Sequence, residues 1–418
     1  MLKRWALFFL LATPVVGRAA DSLYLELSSR GEKTDLGLAE ITAEAGSPAA
    51  GKDFFDALKR DLEFPGLFTL IEGGPAGDGS KVPLEGWSRL GADVVAAGRL
   101  TGGGFGRPAF EGTLVDAGTG KILLTKSLPQ DEDGRRTAHR WADEIIRYFT
   151  GQAGVASTRI VFANDATGKK EICVVDYDGT HFERLTNDRS IALFPKFSPD
   201  GEWIVFTSYK NGGPEVHVMR SNGKDRRAVC RYDGLNSAAT WAPDGKSLIA
   251  TLSLGREPNL HQVDLDGRVI KTLTNSSAAD TAPTLSPDGL RLAFTSDRPG
   301  PPQIYAMDTS GANLQRLTTE GQCDSPGWSP LGHLLAFTMS VKGNYDIYTL
   351  EVATGRTTRL TFGEGNNENA AWSPNGRHLV FTSSRRGRPE LWVMNADGSS
   401  PRRLGNIPGR SFSPDWGR

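Results

Sequence analysis

One tetrapeptide pattern constrains this chain more than any other feature. Ser198-Pro199-Asp200-Gly201 follows Phe197, and versions of it return as Ala242-Pro243-Asp244-Gly245 after Trp241, Ser286-Pro287-Asp288-Gly289 after Leu285, Ser329-Pro330-Leu331-Gly332 after Trp328 and Ser373-Pro374-Asn375-Gly376 after Trp372. Successive copies are 44, 44, 43 and 44 residues apart. A period of about 40–45 residues is the mark of a propeller blade, four short strands that cannot bury both faces without neighbours. The internal punctuation agrees. In the unit around Ser286, Pro287-Asp288-Gly289, Asp297-Arg298-Pro299-Gly300 and Ser310-Gly311 separate apolar runs at Leu292–Thr295, Gln303–Met307 and Leu314–Leu317. Such Pro, Asp and Gly clusters favour tight turns between strands.

Five complete units leave two remainders. Residues from Arg159 to Thr186 carry three strand-like runs without a preceding Ser-Pro-Asp, and Phe412-Ser413-Pro414-Asp415-Trp416 resembles the start of one more unit. The expectation is an all-β, six-bladed propeller over residues 158–418, its last blade split between the two ends so that no strand edge stays open. The apolar or aromatic residue before each turn is expected to fill the wedge between blades.

Residues 21–152 lack the repeat. Phe54, Leu58 and Leu62 fall on one helical face, and Ala138, Trp141 and Ile145 on another, with Asp131 to Asp133 at the start of the second helix. Val94–Leu100, Phe110–Val115 and Ile122–Leu128 read as strands, so a small α/β domain precedes the propeller. Asp21–Ala39, where Leu23, Leu25 and Leu27 alternate with Tyr24 and Glu26, reads as a half-buried strand. Before it, residues 1–20 join Lys3 and Arg4 to an apolar run and small residues at Gly17 and Ala19, the layout of a cleaved signal peptide. That run is short of the ~20 residues a membrane span needs, and no other segment is apolar enough to insert directly in a membrane. A soluble chain outside the cytoplasm is expected.

Composition narrows the function classes. With a net charge of -1 and a pI near 6.6 there is no basic field to gather phosphates, which argues against nucleic acid as a partner. No Gly-x-Ser-x-Gly elbow or His-Glu-x-x-His helix occurs. The six histidines, His139, His181, His217, His261, His333 and His378, are dispersed and read as surface or strand residues. Gly102 to Gly106 lies between two strand runs and reads as a hairpin connection. Asp176-Tyr177-Asp178-Gly179 and Asp264-Leu265-Asp266-Gly267 open like calcium loops but lack the closing glutamate, so turn chemistry explains them and no metal or cofactor is expected. Cys173, Cys230 and Cys323 are too scattered for a zinc site, and spacing does not choose a disulfide pair.

Signal peptide, α/β domain and six blades of the Ser-Pro-Asp-Gly type together resemble the TolB family of the Tol-Pal envelope system. That resemblance implies a non-enzymatic periplasmic scaffold that binds the lipoprotein Pal through the propeller and TolA through the mature N-terminus, supporting outer-membrane integrity and constriction at division. The family's Pal-facing positions fall on loops entering the innermost strands, which here are Leu235, Asn236 and Ala238, and Asp280, Thr281 and Ala282. Similar proteins carry a histidine and a glutamate where this chain has Leu235 and Ala282. Asp324, Ser325, Glu368 and Asn369 would extend the same rim with acidic and polar groups. The TolA segment would be Asp21, Ser22, Leu23, Tyr24, Leu25 and Glu26. Two other classes remain open on the residues alone: a secreted propeller enzyme, and a carbohydrate- or peptide-binding propeller.

Overall fold

The computed structural model describes residues 33–43, 48–77, 82–102, 109–131 and 134–417. The signal-peptide run, the TolA segment Asp21–Glu26 and Gly103–Gly106 lie outside them. The chain divides into two compact units, Met1–Ala153 and Gly154–Arg418. Among the described residues no helix is long and apolar enough to cross a membrane.

The first unit is a mixed sheet under two long helices. Its elements run β1 (Thr34–Leu38), β2 (Thr42–Ala43), α1 (Pro48–Glu63), β3 (Phe68–Ile71), α2 (Leu84–Arg89), β4 (Val94–Thr101), β5 (Ala109–Asp116), β6 (Ile122–Pro129) and α3 (Arg135–Thr150). The sheet order is β3-β1-β4-β5-β6, with β1 parallel to β3 and β4 and the remaining neighbours on this path antiparallel. The three later strands and both long helices fall where the sequence predicts them. Among the described residues the first strand is Thr34–Leu38, within the expected Asp21–Ala39 segment; the Leu23–Leu27 alternation lies outside the described residues.

Aromatic packing joins the helices to the sheet. Phe54 of α1 stacks at 4.4 Å on Phe110 of β5, and Trp141 of α3 lies 5.8 Å from the same ring. Gly98 and Gly112 face each other across β4 and β5 because a Cβ on either would fall within 3 Å of the Phe110 ring. Two expectations need correcting here. His139 sits on α3, not on the surface or a strand; its Nδ1 meets Asp61 of α1 at 2.6 Å with both side chains almost fully buried. Asp131 lies ahead of the Gly134 N-cap, and it accepts a hydrogen bond from Arg140 at 2.8 Å rather than standing in the first turn.

The second unit is a ring of six four-stranded antiparallel sheets. We number the blades by their innermost strands: Ala192–Phe197, Asn236–Trp241, Asp280–Leu285, Gln322–Trp328, Asn367–Trp372 and, closing the ring, Ser411–Gly417. Blade 6 adds Arg159–Asn164, Glu171–Asp176 and Glu183–Arg184 from the other end of the unit, with Ser411 opposite Asn164 and Trp416 opposite Ile160. The split blade is therefore as expected, but its register is not. Trp416 occupies the place of Trp372, so Ser413-Pro414-Asp415 lies within the strand, four residues before the position where the other blades turn.

Four of the five residues before the turns fill the seams, as does Trp416 in the closing strand, while Leu285 is only partly buried. Phe197, Trp241, Trp328, Trp372 and Trp416 are all under one-tenth exposed, and the indole N–H groups of Trp241 and Trp372 donate to the carbonyls of Lys196 and Gly327 in the preceding blade. The Asp-rich loops are turns: Asp264 Oδ1 accepts from the backbone N–H groups of Asp266 and Arg268, and Thr180 donates to Asp178. His217, His261 and His378 are strand residues but buried ones, and burial pushes the His378 imidazole down to about 4.

Cys173, Cys230 and Cys323 are free and buried, and burial pushes the first two thiols up to about 12 and the third to about 11. The thiolate is the reactive form. The folded protein is therefore expected to take up no thiol reagent at pH 8 within an hour, and three equivalents once unfolded. A single reactive thiol after unfolding would mean that two had been oxidised to a disulfide.

Candidate functional site at the mouth of the ring

Each innermost strand carries one bulge, and the bulge shapes the mouth. Pairing with the second strand slips between Leu193 and Lys196, Ser237 and Thr240, Thr281 and Thr284, Asp324 and Gly327, Glu368 and Ala371, and Phe412 and Asp415. Inside each slip one non-glycine residue takes a left-handed backbone: Phe194, Ala238, Ala282, Ser325, Asn369 and Ser413, with φ between 44° and 54°. Such a conformation costs on the order of 1 kcal/mol per residue and persists only where the surroundings impose it. Six of them at equivalent places turn the backbone toward the axis and line a cavity of about 220 Å³.

Of the rim residues expected from sequence, Leu235, Ala238, Thr281, Ala282, Asp324, Ser325 and Asn369 line this cavity. Asn236 and Asp280 do not. Both are buried at the start of their innermost strands, where the Asn236 side chain accepts from the Tyr232 N–H and donates to the Tyr232 carbonyl, and Asp280 accepts from Arg298 at 2.6 Å and Ser276 at 3.0 Å. They set loop shape and offer no side chain to a partner. Glu368 is half-buried beside the rim without lining the cavity; burial, and then the charge of Asp324, push its carboxyl above the usual range. Asp324 accepts from Thr295 at 2.8 Å and from the Ser325 N–H at 2.6 Å.

Sequence reasoning missed the far side of the rim. Phe194, Pro195 and Lys196 of blade 1 and Ser413 and Pro414 of blade 6 complete the wall. Stepping 44 residues back from Ala238, or 44 on from Asn369, reaches Phe194 and Ser413, so the repeat itself held the signal. Lys196 is neutralised by Asp415 at 3.1 Å, leaving the net charge of the mouth with Asp324 and Glu368. Among the described residues no group of three or more His, Cys, Asp or Glu side chains could hold a metal ion. What the site offers is a rigid, mostly apolar socket with an acidic, hydroxyl-bearing rim.

The model of the TolB beta propeller domain matches residues 146–325 and 319–417, covering the ring just described. The chain belongs to the TolB family. Curated TolB relatives include a TolB homologue of Chlorobium chlorochromatii, 34% identical over 245 residues, 55% of each chain, and the Tol-Pal system protein TolB of Anaeromyxobacter dehalogenans, 34% identical over 209 residues, 47% of each chain. The chain spans about half the length of the curated relatives it matches. The crystal structure of TolB from Acinetobacter baumannii is similar over more of it, with a TM-score of 0.78 and 26% identity across 92% of this chain and 96% of that one.

Proposed function

We propose that this protein is a periplasmic, non-enzymatic scaffold of the Tol-Pal system, holding the lipoprotein Pal at the mouth of its propeller and TolA through the segment beginning at Asp21. The observation that carries this reading is the mouth itself. Six backbone bulges bring loop residues from every blade onto one rigid frame, with the expected Pal-facing residues Leu235, Ala238, Thr281 and Ala282 side by side on its wall. A preformed frame lowers the ordering cost of binding, and loops carried on rigid scaffolds are where binding surfaces concentrate. The resemblance to TolB supports the choice of partner, and membership of a system that acts in outer-membrane integrity and division follows from that choice.

TolA engagement would use a short alternating segment that adds to a partner's sheet edge. Deleting Asp21–Ser28 from the mature chain is expected to abolish capture of TolA in a pull-down from envelope extract while Pal still co-purifies. Full-strength TolA capture by the deleted protein would remove the N-terminal segment from the proposal. Failure of Pal to bind the intact chain in calorimetry would remove the propeller reading.

A further inference from the structure

The bulges repeat around the mouth, but the charges do not. Each innermost strand begins beside the end of its second strand, Asn367 opposite Ser383 and Ser411 opposite Asn164, so the loops leaving the second strands stand at the mouth end of the ring with the connections between blades. Four such segments around blades 5 and 6, residues 384–389, 405–410, 165–170 and 186–191, carry seven Lys and Arg against two Asp. They adjoin one another: the Ser411 N–H donates to the Pro389 carbonyl at 3.0 Å, Arg410 pairs with Asp165 at 2.6 Å, and the Ala192 N–H donates to the Lys170 carbonyl at 2.8 Å. The six segments at the same end of blades 2 to 4, residues 231–235, 253–258, 275–279, 297–302, 319–321 and 341–343, carry four charges of each sign.

Both Asp of the basic sector are committed, Asp165 to Arg410 and Asp188 to Lys210 and Arg226. Arg385 and Arg388 meet Glu364 and Glu390. Lys169, Arg189 and Arg386 are exposed, and among the described residues none of the three has an ion-pair partner. Lys170 ties the sector to the cavity, since its ammonium lies 4.1 Å over the ring of Phe412, the residue before Ser413 of the cavity wall. A local surplus of cations on a chain whose net charge is -1 makes a field on one side of the mouth, and such a field attracts surfaces of opposite sign. Six equivalent bulges would by themselves accept a partner in any of six rotations. The charged sector leaves one.

Resting on the mouth as the partner-binding surface, we infer that this sector orients the partner: the protein seated at the mouth carries an acidic surface beside its central contact, and that surface comes down over blades 5 and 6 onto Lys169, Arg189 and Arg386. The continuity of the sector with the cavity through Lys170 favours a protein seated there as the source of those acids over a sheet of anionic lipid.

The test follows association with delipidated Pal by stopped flow at low ionic strength. Lys169→Glu combined with Arg386→Glu is expected to slow association about tenfold or more and to flatten its dependence on salt, with dissociation changed less than about threefold, because long-range attraction acts on the encounter. Both residues are exposed and unpaired, so the melting point should stay where it is. Lys169→Gln combined with Arg386→Gln, which adds no negative charge, should slow association about threefold. Arg256→Glu combined with Lys342→Glu makes the same change of charge at the mouth end of blades 2 and 4, and should slow it less than about threefold. Equal slowing by the two Glu pairs would show a general effect of net charge and overturn the inference. No slowing by the Lys169 and Arg386 pair, beside a Thr281→Arg protein that no longer binds, would overturn it too and leave the mouth as the site. If none of these substitutions slows or weakens binding, the mouth reading falls with it. Binding of the wild-type chain to phosphatidylglycerol vesicles, lost in the Lys169 and Arg386 pair while association with Pal is unchanged, would assign the sector to a lipid surface and also overturn the inference.

Discussion

Removing Ser411–Arg418 is expected to lower the melting temperature by more than 10 °C and to leave a protein that aggregates. The innermost strand of blade 6 would be gone, and with it the Ser411 hydroxyl bonded to Asn164 at 3.1 Å, the Trp416 indole bonded to Thr158 at 2.7 Å and the Asp415 carboxylate that holds both Lys196 and the Phe197 N–H. Trp416 is 5% exposed, and loss of one such side chain costs about 3–5 kcal/mol before any hydrogen bond is counted. For a ring of this size each kcal/mol is worth roughly 2–4 °C. The strand Arg159–Asn164 would keep an unpaired, apolar edge, which invites pairing between chains. Scanning calorimetry with size-exclusion chromatography reads both effects. A truncated protein that stays monomeric and melts within 2 °C of the full chain would mean that the ring does not depend on this strand.

The second large effect is expected at Thr281. Thr281→Arg places a long charged side chain on the cavity wall, where Ala282 and Pro283 leave it apolar neighbours and the rest of the bulge holds the backbone fixed. At the centre of an interface this should cost at least ~2 kcal/mol, or about thirtyfold in affinity for Pal, because the guanidinium is desolvated and the cavity is blocked. Thr281 is half-buried with its side chain on the open cavity wall, so the melting curve should move little. Glu368→Gln makes a useful companion, being beside the rim and outside the cavity; its effect on affinity should be several-fold smaller. Wild-type affinity and melting in Thr281→Arg would place the Pal surface on another part of the protein.

Much of the propeller was legible because its turns are local chemistry. Pro-Asp-Gly and its variants specify tight turns wherever they stand, and a 44-residue offset maps one blade onto the next. The closing strand exposed the limit of that reading. Ser-Pro occurs at the turns and also at the bulges, in Ser325-Pro326 and Ser413-Pro414, so the motif alone placed the strand correctly and its register four residues away. In the first unit β1 and β3 are five and four residues long, too short for periodicity to fix their bounds. The His139–Asp61 contact joins residues 78 apart, a distance at which composition and spacing carry no signal. At the mouth the loops were readable, but which side chains face inward was not. Asn236 and Asp280 look like exposed polar rim residues until Tyr232 and Arg298 are seen to claim them.

The six left-handed bulge residues have a consequence for how substitutions act at the mouth. They are Phe, Ala, Ala, Ser, Asn and Ser, a set with no common side-chain chemistry, held in one backbone shape by equivalent slips of strand pairing. The contour of the mouth is thus written in main-chain geometry, and the side chains hang from it as replaceable fittings. A substitution there alters the chemistry of the surface without redrawing its outline, because the strand-pairing slips and not the side chains hold the shape.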